Sequence, residues 1–136
     1  MVDERRINMK NDRMQTERRQ HQRYRVQKNA LALLRNKSIY PGHITEISLG
    51  GMVFQYHSRN GKTPEASEID IISANYTEAA LIRHLGIKTI SDLAVSEKKA
   101  GESTRLRKQA VRFGTLSRSQ RSQLKHFIRT YSSSRV

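Results

Sequence analysis

Residues 43–56 read HITEISLGGMVFQY and predict a β-hairpin. Apolar and polar residues alternate on both sides of Gly50 and Gly51, which is the pattern of two half-buried strands joined by a tight turn. Ser48 and Leu49 interrupt the first strand just before the glycines. The hairpin therefore places a hydroxyl and two adaptable backbone positions, together with the carboxylate of Glu46, at one end of a predicted sheet.

Further segments of strand length flank this hairpin, at residues 30–34, 68–72, 87–95 and 106–113. Pro41 and Gly42 predict a turn ahead of the hairpin, and the polar residues 96–104 predict a loop between the last two strands. Residues 74–86 leave two alternatives open. One is a short helix with its N-cap at Thr77 that runs through Leu85 and is closed by Gly86, and the other is an irregular strand.

The last part of the chain changes to a helical period. Ser117 and Gln120 fit a capping box, in which each residue satisfies the backbone N–H of the other. The helix is predicted over residues 118–131, with 132–136 as a tail. Four apolar residues recur on one helical face and are expected to pack inward: Leu124, Phe127, Ile128 and Tyr131.

Strands followed by one amphipathic helix indicate an all-β class with a C-terminal helix. We expect a small six-stranded antiparallel β-barrel with the helix packed against it. The 136 residues suit one domain, and 35% hydrophobic residues allow only a modest core. Residues 1–16 lack an apolar period and are expected to form a flexible basic arm, so the domain is predicted over 17–131.

Composition excludes several classes of site. The chain has no cysteine, so it forms neither disulfides nor thiolate metal sites. No apolar run approaches the roughly 18 residues of a membrane span, and the N-terminus is polar, so we expect a cytoplasmic protein. The histidines have no metal-ligand spacing on one element, and we expect no metal: they are His21, His43, His57, His84 and His126.

Catalytic motifs are missing as well. No nucleophile and base stand in a recognisable arrangement, and the phosphate-cradling pattern GxxxxGK[ST] does not occur in the sequence. We therefore expect a binding protein without enzymatic activity and without a cofactor.

The formal net charge of +14 indicates an anionic partner. Residues 104–136 carry nine Lys and Arg and no Asp or Glu. A nucleic acid, a nucleotide, an acidic protein or a membrane surface would each suit this charge.

A second basic cluster lies just ahead of the first apolar segment, in the stretch ERRQHQRYR at residues 17–25. Arg19 and Arg23 are four residues apart, and the planar arginine fork grips phosphate with two hydrogen bonds. The cluster could equally be a solvated basic tail. Glu46 offers the complementary chemistry, because a carboxylate accepts from the N1–H and N2–H₂ donors of a guanine edge, while arginine donates to guanine N7 and O6.

Together, Arg19-x-x-x-Arg23 and Glu46-x-Ser48-x-x-Gly51 resemble the motifs of the PilZ domain family. Members of that family carry RxxxR ahead of the first barrel strand and (D/N)xSxxG at a strand end. The order of six strands and a C-terminal amphipathic helix is also similar, and the resemblance covers roughly residues 17–131. Position 46 is Glu where the family has Asp or Asn.

The resemblance implies binding of the bacterial second messenger cyclic di-GMP, as one or two molecules per site. It also implies a flexible RxxxR segment that the ligand draws across the barrel, which changes the surface seen by a protein partner in control of motility, biofilm or exopolysaccharide. Carried over residue by residue, the ligand-binding set is Arg18, Arg19, Arg23, Glu46, Ser48 and Gly51.

We expect a monomer or weak dimer, and we do not expect nucleic acid as the partner. Two alternatives remain: a basic β-barrel that binds nucleic acid, and a PilZ-type domain that docks on proteins without binding nucleotide.

Overall fold

The computed structural model describes residues 21–27, 30–35, 39–59, 66–73, 82–95 and 104–136. The predicted N-terminal arm, Arg18 and Arg19 lie outside these residues. In chain order the elements are β1 Tyr24–Val26, β2 Ala30–Arg35, β3 Ile39–Ile47, β4 Gly51–Arg59, β5 Glu68–Ser73, β6 Ile82–Ala94, β7 Thr104–Phe113, α1 Arg118–Tyr131 and β8 Ser132–Arg135.

Six of the strands close into an antiparallel barrel, which confirms the predicted fold class. They follow each other in the order β2-β5-β6-β7-β4-β3, and pairing of β2 with β3 closes the ring. Closure leaves no open edge within the ring. β1 and β8 extend the sheet outward from β3.

The interior of the barrel is filled by side chains from alternate strand positions. Ala30, Ala32 and Leu34 of β2 are fully buried. Phe54 and Tyr56 of β4 belong to the same buried core, and the centroids of their two rings lie 6.1 Å apart. The helix covers the core with the four apolar residues predicted for it. The remaining buried apolar residues are Ile44, Ile47, Met52, Ile69, Ile71, Ile82, Leu85, Val111 and Phe113.

The predicted turn at Pro41 and Gly42 is wrong, because both residues lie inside β3. Pro41 faces Leu33 of β2, and pairing of β3 with β4 begins only at His43, so the missing N–H of proline interrupts no bond on that side. Gly42 is required by packing. A Cβ added there would lie 2.6 Å from Cδ2 of Phe54, so the phenyl ring occupies the space of the absent side chain.

The predicted tail is also wrong. Ser132–Arg135 forms β8, which pairs with β1, and the N–H of Val136 donates to the carbonyl of Arg23 at 3.0 Å. These polar residues have no strand pattern of their own. They pair because the end of the helix delivers them beside β1.

Of the two alternatives for residues 74–86, the structure supports the strand where it describes them. Residues 82–86 belong to β6, and 74–81 lie outside the described residues. The strand begins with a bulge at His84, whose φ is 58°. Buried Asp70 supports this bulge, since it accepts from the N–H of His84 at 2.9 Å and from Nε of Arg35 at 2.7 Å.

The capping box of α1 is present and also positions the helix. Oγ of Ser117 accepts from the N–H of Gln120 at 3.0 Å, and Oε1 of Gln120 accepts from the N–H of Ser117 at 2.9 Å. Nε2 of Gln120 donates to the carbonyls of Arg83 and His84, each at 3.0 Å. The first turn of the helix is therefore fixed on the β6 bulge, which sets where Arg121 lies.

A hydrogen-bonded polar network around Asp92 links β4, β6 and β7. Asp92 accepts from the Tyr56 hydroxyl, from Nε of Arg107 at 2.5 Å and from Nε2 of Gln109 at 2.8 Å. Burial raises the pKa of Asp92, but these three hydrogen bonds outweigh it and the pKa is lowered. The hydrogen bond to Asp92 in turn raises the pKa of Arg107.

Candidate ligand-binding groove

The β3–β4 turn is organised by the side chain of Ser48. Its Oγ accepts from the N–H of Gly50 at 3.0 Å and of Gly51 at 3.2 Å, and lies 3.4 Å from the carbonyl of Gly51 as a donor. A hydroxyl has one donor and two lone pairs, so this set uses all of them. Ser48 is 8% exposed and shapes the turn; a direct contact between Ser48 and a ligand stays a prediction.

Gly51 is needed because two backbones approach closely. It pairs with Arg112 of β7, and an added Cβ would lie 2.2 Å from the carbonyl oxygen of Val111. The carbonyl of Gly50 accepts from the N–H of Phe113 at 2.9 Å. The turn is therefore fixed by the Ser48 hydroxyl on one side and by the backbone of β7 on the other.

Residues 21–25 lie against this turn. The imidazole of His21 covers Gly50, since a Cβ on Gly50 would meet Cδ2 of His21 at 2.8 Å. β1 begins three residues later, at Tyr24, and pairs with β3 so that Arg25 stands opposite Glu46. The structure thus brings the second arginine of the RxxxR motif and the Glu46–Gly51 segment to the same place.

A groove of about 630 Å³ lies between these segments. Its cationic residues come from three parts of the chain, namely Arg23 before β1, Arg112 of β7 and Arg121 of α1, and Glu46 is its one acidic lining residue among those described. Of the predicted site residues, Arg23, Glu46, Ser48 and Gly51 all line the groove. Arg25 is exposed and does not line it.

The sheet side of the groove presents two apolar side chains, Val53 and Ala110, next to Glu46. Glu46 stands opposite Val53, and Val53 stands opposite Ala110 of β7, so the three side chains form one outward-facing row across the strands. The bulge between Thr89 and Ser91 sets Ile90 at the margin, where it is 61% exposed. A planar base could lie on this side of the groove with its polar edge toward Glu46 and with phosphates toward the arginines.

Sequence reasoning missed His21, Arg112 and Arg121 as groove residues. His21 lies inside the RxxxR motif and could have been considered with it. Arg112 lies between the inward-facing Val111 and Phe113, so the alternation predicts that it points outward. The motif and the strand alternation do not predict which strand or helix lies beside the β3–β4 turn. Arg112 and Arg121 line the groove because the fold places β7 and α1 beside that turn.

The described residues contain neither a candidate metal-binding cluster nor a helix that could span a membrane. Among them, no group of three or more His, Asp or Glu side chains could hold a metal ion. Within the same residues, no helix has the length and apolar character needed to cross a bilayer.

Comparison with known proteins gives no match to a family model and none to a curated protein by sequence. Among solved structures, the chain is similar to the PilZ domain with c-di-GMP of YcgR from Escherichia coli. The two share 15% identity, with a TM-score of 0.60 over 82% of this chain and 88% of that chain.

A second similar structure is MrkH, described as a c-di-GMP-dependent transcription regulatory factor. It is 15% identical with a TM-score of 0.57 over 79% of this chain, which spans 48% of the MrkH chain. At this identity the two likenesses establish the fold, so the predicted PilZ-like architecture is confirmed.

Proposed function

We propose that this protein is a cyclic di-GMP effector, which binds the dinucleotide in the groove between the His21–Arg23 segment and the β3–β4 turn. The observation that carries the proposal is the convergence of two motifs far apart in the sequence, with Arg23 and the Glu46–Gly51 segment lining one groove. The structures of similar fold add support, since the YcgR domain is described with c-di-GMP and MrkH as dependent on it.

The arrangement suits each part of the ligand. Arg23 and Arg19 would take the phosphates or the N7 and O6 acceptors of guanine, and Arg18 would add a further cation. Glu46 forms no ion pair or side-chain hydrogen bond with another described residue, so its acceptors are available for guanine N1–H and N2–H₂. One or two ligand molecules per site are compatible with this chemistry.

Signalling would follow from ligand contacts on both sides of the groove. A dinucleotide bound by Arg19 and Arg23 and by Glu46 would hold the N-terminal segment against the β3–β4 turn. That changes the surface which a protein partner meets, as in other order–disorder switches. We place such a partner in control of motility, biofilm or exopolysaccharide, with the protein acting as a monomer or weak dimer.

Arg23→Ala is expected to weaken cyclic di-GMP binding about tenfold or more, because a charge-assisted hydrogen bond contributes roughly 1.5–3 kcal/mol. Isothermal titration calorimetry of wild type and variant measures this loss, and Arg19→Ala is expected to behave alike. Lys108→Ala is the matched control, since Lys108 is exposed on β7 and does not line the groove.

Cyclic di-AMP in the same titration tests base selectivity, because adenine lacks the N1–H and N2–H₂ donors. Wild-type protein that gives no heat with cyclic di-GMP at high concentration would contradict the proposal and favour a domain that docks on proteins without nucleotide.

Glu46→Gln is expected to reduce affinity for cyclic di-GMP about tenfold. The amide loses the charge and one acceptor, and its NH₂ group faces the guanine donors. Glu68→Gln makes the same chemical change at an exposed carboxylate beside His84, outside the groove, and should leave affinity unchanged. Equal affinity of wild type and Glu46→Gln would remove Glu46 from the site and leave the arginines as the only recognition element.

A further inference from the structure

We propose that the solvent-facing side of α1 binds the phosphate backbone of a nucleic acid duplex through a cationic stripe, defined as Arg118, Arg121, Lys125 and Arg129. The four residues are exposed. They are spaced three, four and four residues apart, so at 3.6 residues per turn they fall within about 80° of the helix circumference. The stripe is about 16 Å long at 1.5 Å per residue.

The stripe contains all the lysine and arginine residues on the exposed surface of the helix. The other exposed positions of the helix carry no lysine or arginine: Ser119, Ser122, Gln123, His126 and Thr130. The buried face is the apolar one that covers the barrel. The lysine and arginine residues are therefore confined to one edge of the exposed helix surface.

Local stability does not account for this arrangement. The first turn has no acidic residue, and Arg118 there opposes the positive end of the helix dipole. Arg121, Lys125 and Arg129 follow one another at i, i+4, where like charges destabilise a helix. None of the four forms an ion pair with another described residue. Arg129 is favourably placed in the last turn, at the negative end of the dipole, but the charges of Arg118, Arg121 and Lys125 have no such compensation, which indicates a binding role.

The chemistry of the face favours phosphodiester over other anions. Its neutral residues are Ser, Thr and Gln, which donate to phosphate oxygens. It exposes no apolar or aromatic side chain, whereas protein interfaces are centred on such residues and interfacial membrane helices insert them. Single strands are bound by stacking on aromatic rings, and the rings of Phe127 and Tyr131 are buried. A rigid row of cations suits a regular duplex backbone.

The test is fluorescence anisotropy of the full chain with a labelled mixed-sequence DNA duplex, from 50 to 200 mM salt and without cyclic di-GMP. If all four cations contact phosphate, log K should fall against log salt with a slope of at least about −3.6, since each contact contributes about 0.9. Lys125→Ala should reduce the slope by about 0.9, and Lys125→Ala with Arg129→Ala by about 1.8.

Lys108→Ala is the control, because it removes the same charge from an exposed site on the barrel and should leave the slope unchanged. Alanine is the best helix former, and Lys125→Ala relieves the like-charge contacts with Arg121 and Arg129, so Lys125→Ala should melt no lower than wild type. Lower affinity together with an unchanged or higher melting temperature identifies a binding surface.

Three results would overturn the proposal. One is no anisotropy change at 50 mM salt, and another is an equal effect of Lys125→Ala and Lys108→Ala. The third is displacement of the duplex by poly-glutamate or anionic vesicles at equal charge concentration, which would assign the stripe to an acidic protein or a lipid surface.

Because Lys125 does not line the groove, Lys125→Ala should keep cyclic di-GMP binding, which separates this test from that of the proposed function.

Discussion

Gly51→Ala is expected to lower the free energy of unfolding by roughly 3 kcal/mol, at the upper end of overpacking costs. The added methyl group would lie 2.2 Å from the carbonyl oxygen of Val111 and 3.2 Å from Cα of Arg112, and both are backbone atoms that cannot rotate away. β4 would have to separate from β7 at the end that forms the groove. Urea denaturation followed by circular dichroism measures the change.

Two other glycines make this prediction specific. Gly86→Ala should change stability by no more than about 0.5 kcal/mol, because an added Cβ meets no atom within 4 Å. Gly50→Ala meets only the ring of His21, at 2.8 Å, and a side chain can move. It should therefore cost less than about 1 kcal/mol of stability. The same variant should weaken cyclic di-GMP binding several-fold, because displacing His21 moves the arginine segment away from the turn.

Equal stabilities of Gly51→Ala and Gly86→Ala would contradict the close approach of β4 and β7. Equal ligand affinities of wild type and Gly50→Ala would mean that His21 does not position the arginine segment.

Asp92→Asn is expected to destabilise the protein by roughly 2–4 kcal/mol at pH 7, because it leaves the Arg107 charge without its partner inside the barrel. The two side chains are 12% and 17% exposed, so water compensates little. Glu68→Gln removes a carboxylate from an exposed pair with His84 and should change stability by less than about 0.5 kcal/mol.

The difference between wild type and Asp92→Asn depends on pH in a defined direction. The pKa of Asp92 is lowered on folding from its ordinary value of 3.8. The carboxylate therefore contributes its full stabilisation above about pH 4, and that contribution is lost as pH falls through the lower pKa of the folded state. Urea titrations at pH 7 and pH 3 should give a smaller difference at pH 3. A constant difference would show that the network does not favour the ionised carboxyl.

The fold class could be predicted because its signals are local. Alternation around Gly50 and Gly51 defines a hairpin, and the reciprocal bonds of Ser117 and Gln120 define where the helix begins. The two strands that escaped prediction, β1 and β8, span three and four residues. Segments so short carry no period, and they pair only because tertiary structure brings β1 beside β3 and β8 beside β1.

In the candidate site too, some residues could be identified from local sequence and others only from the fold. Arg23 and Glu46 could be chosen by their chemistry and by the resemblance of their motifs, and both line the groove. Ser48 and Gly51 shape the backbone of the site. The Ser48 hydroxyl accepts from a backbone N–H of the turn, and the missing side chain of Gly51 lets β7 approach closely. Arg19 and Arg18 lie outside the described residues, and their contact with a ligand stays a prediction.

By itself, the sequence determined the strand and helix periods, the positive charge and the two motifs, because each depends on residues near one another in the chain. Tertiary structure alone decided that β7 and α1 bring Arg112 and Arg121 to the groove, and that His21 covers Gly50. Barrel closure and register decide which strands become neighbours, and both depend on contacts between distant residues that no local pattern contains.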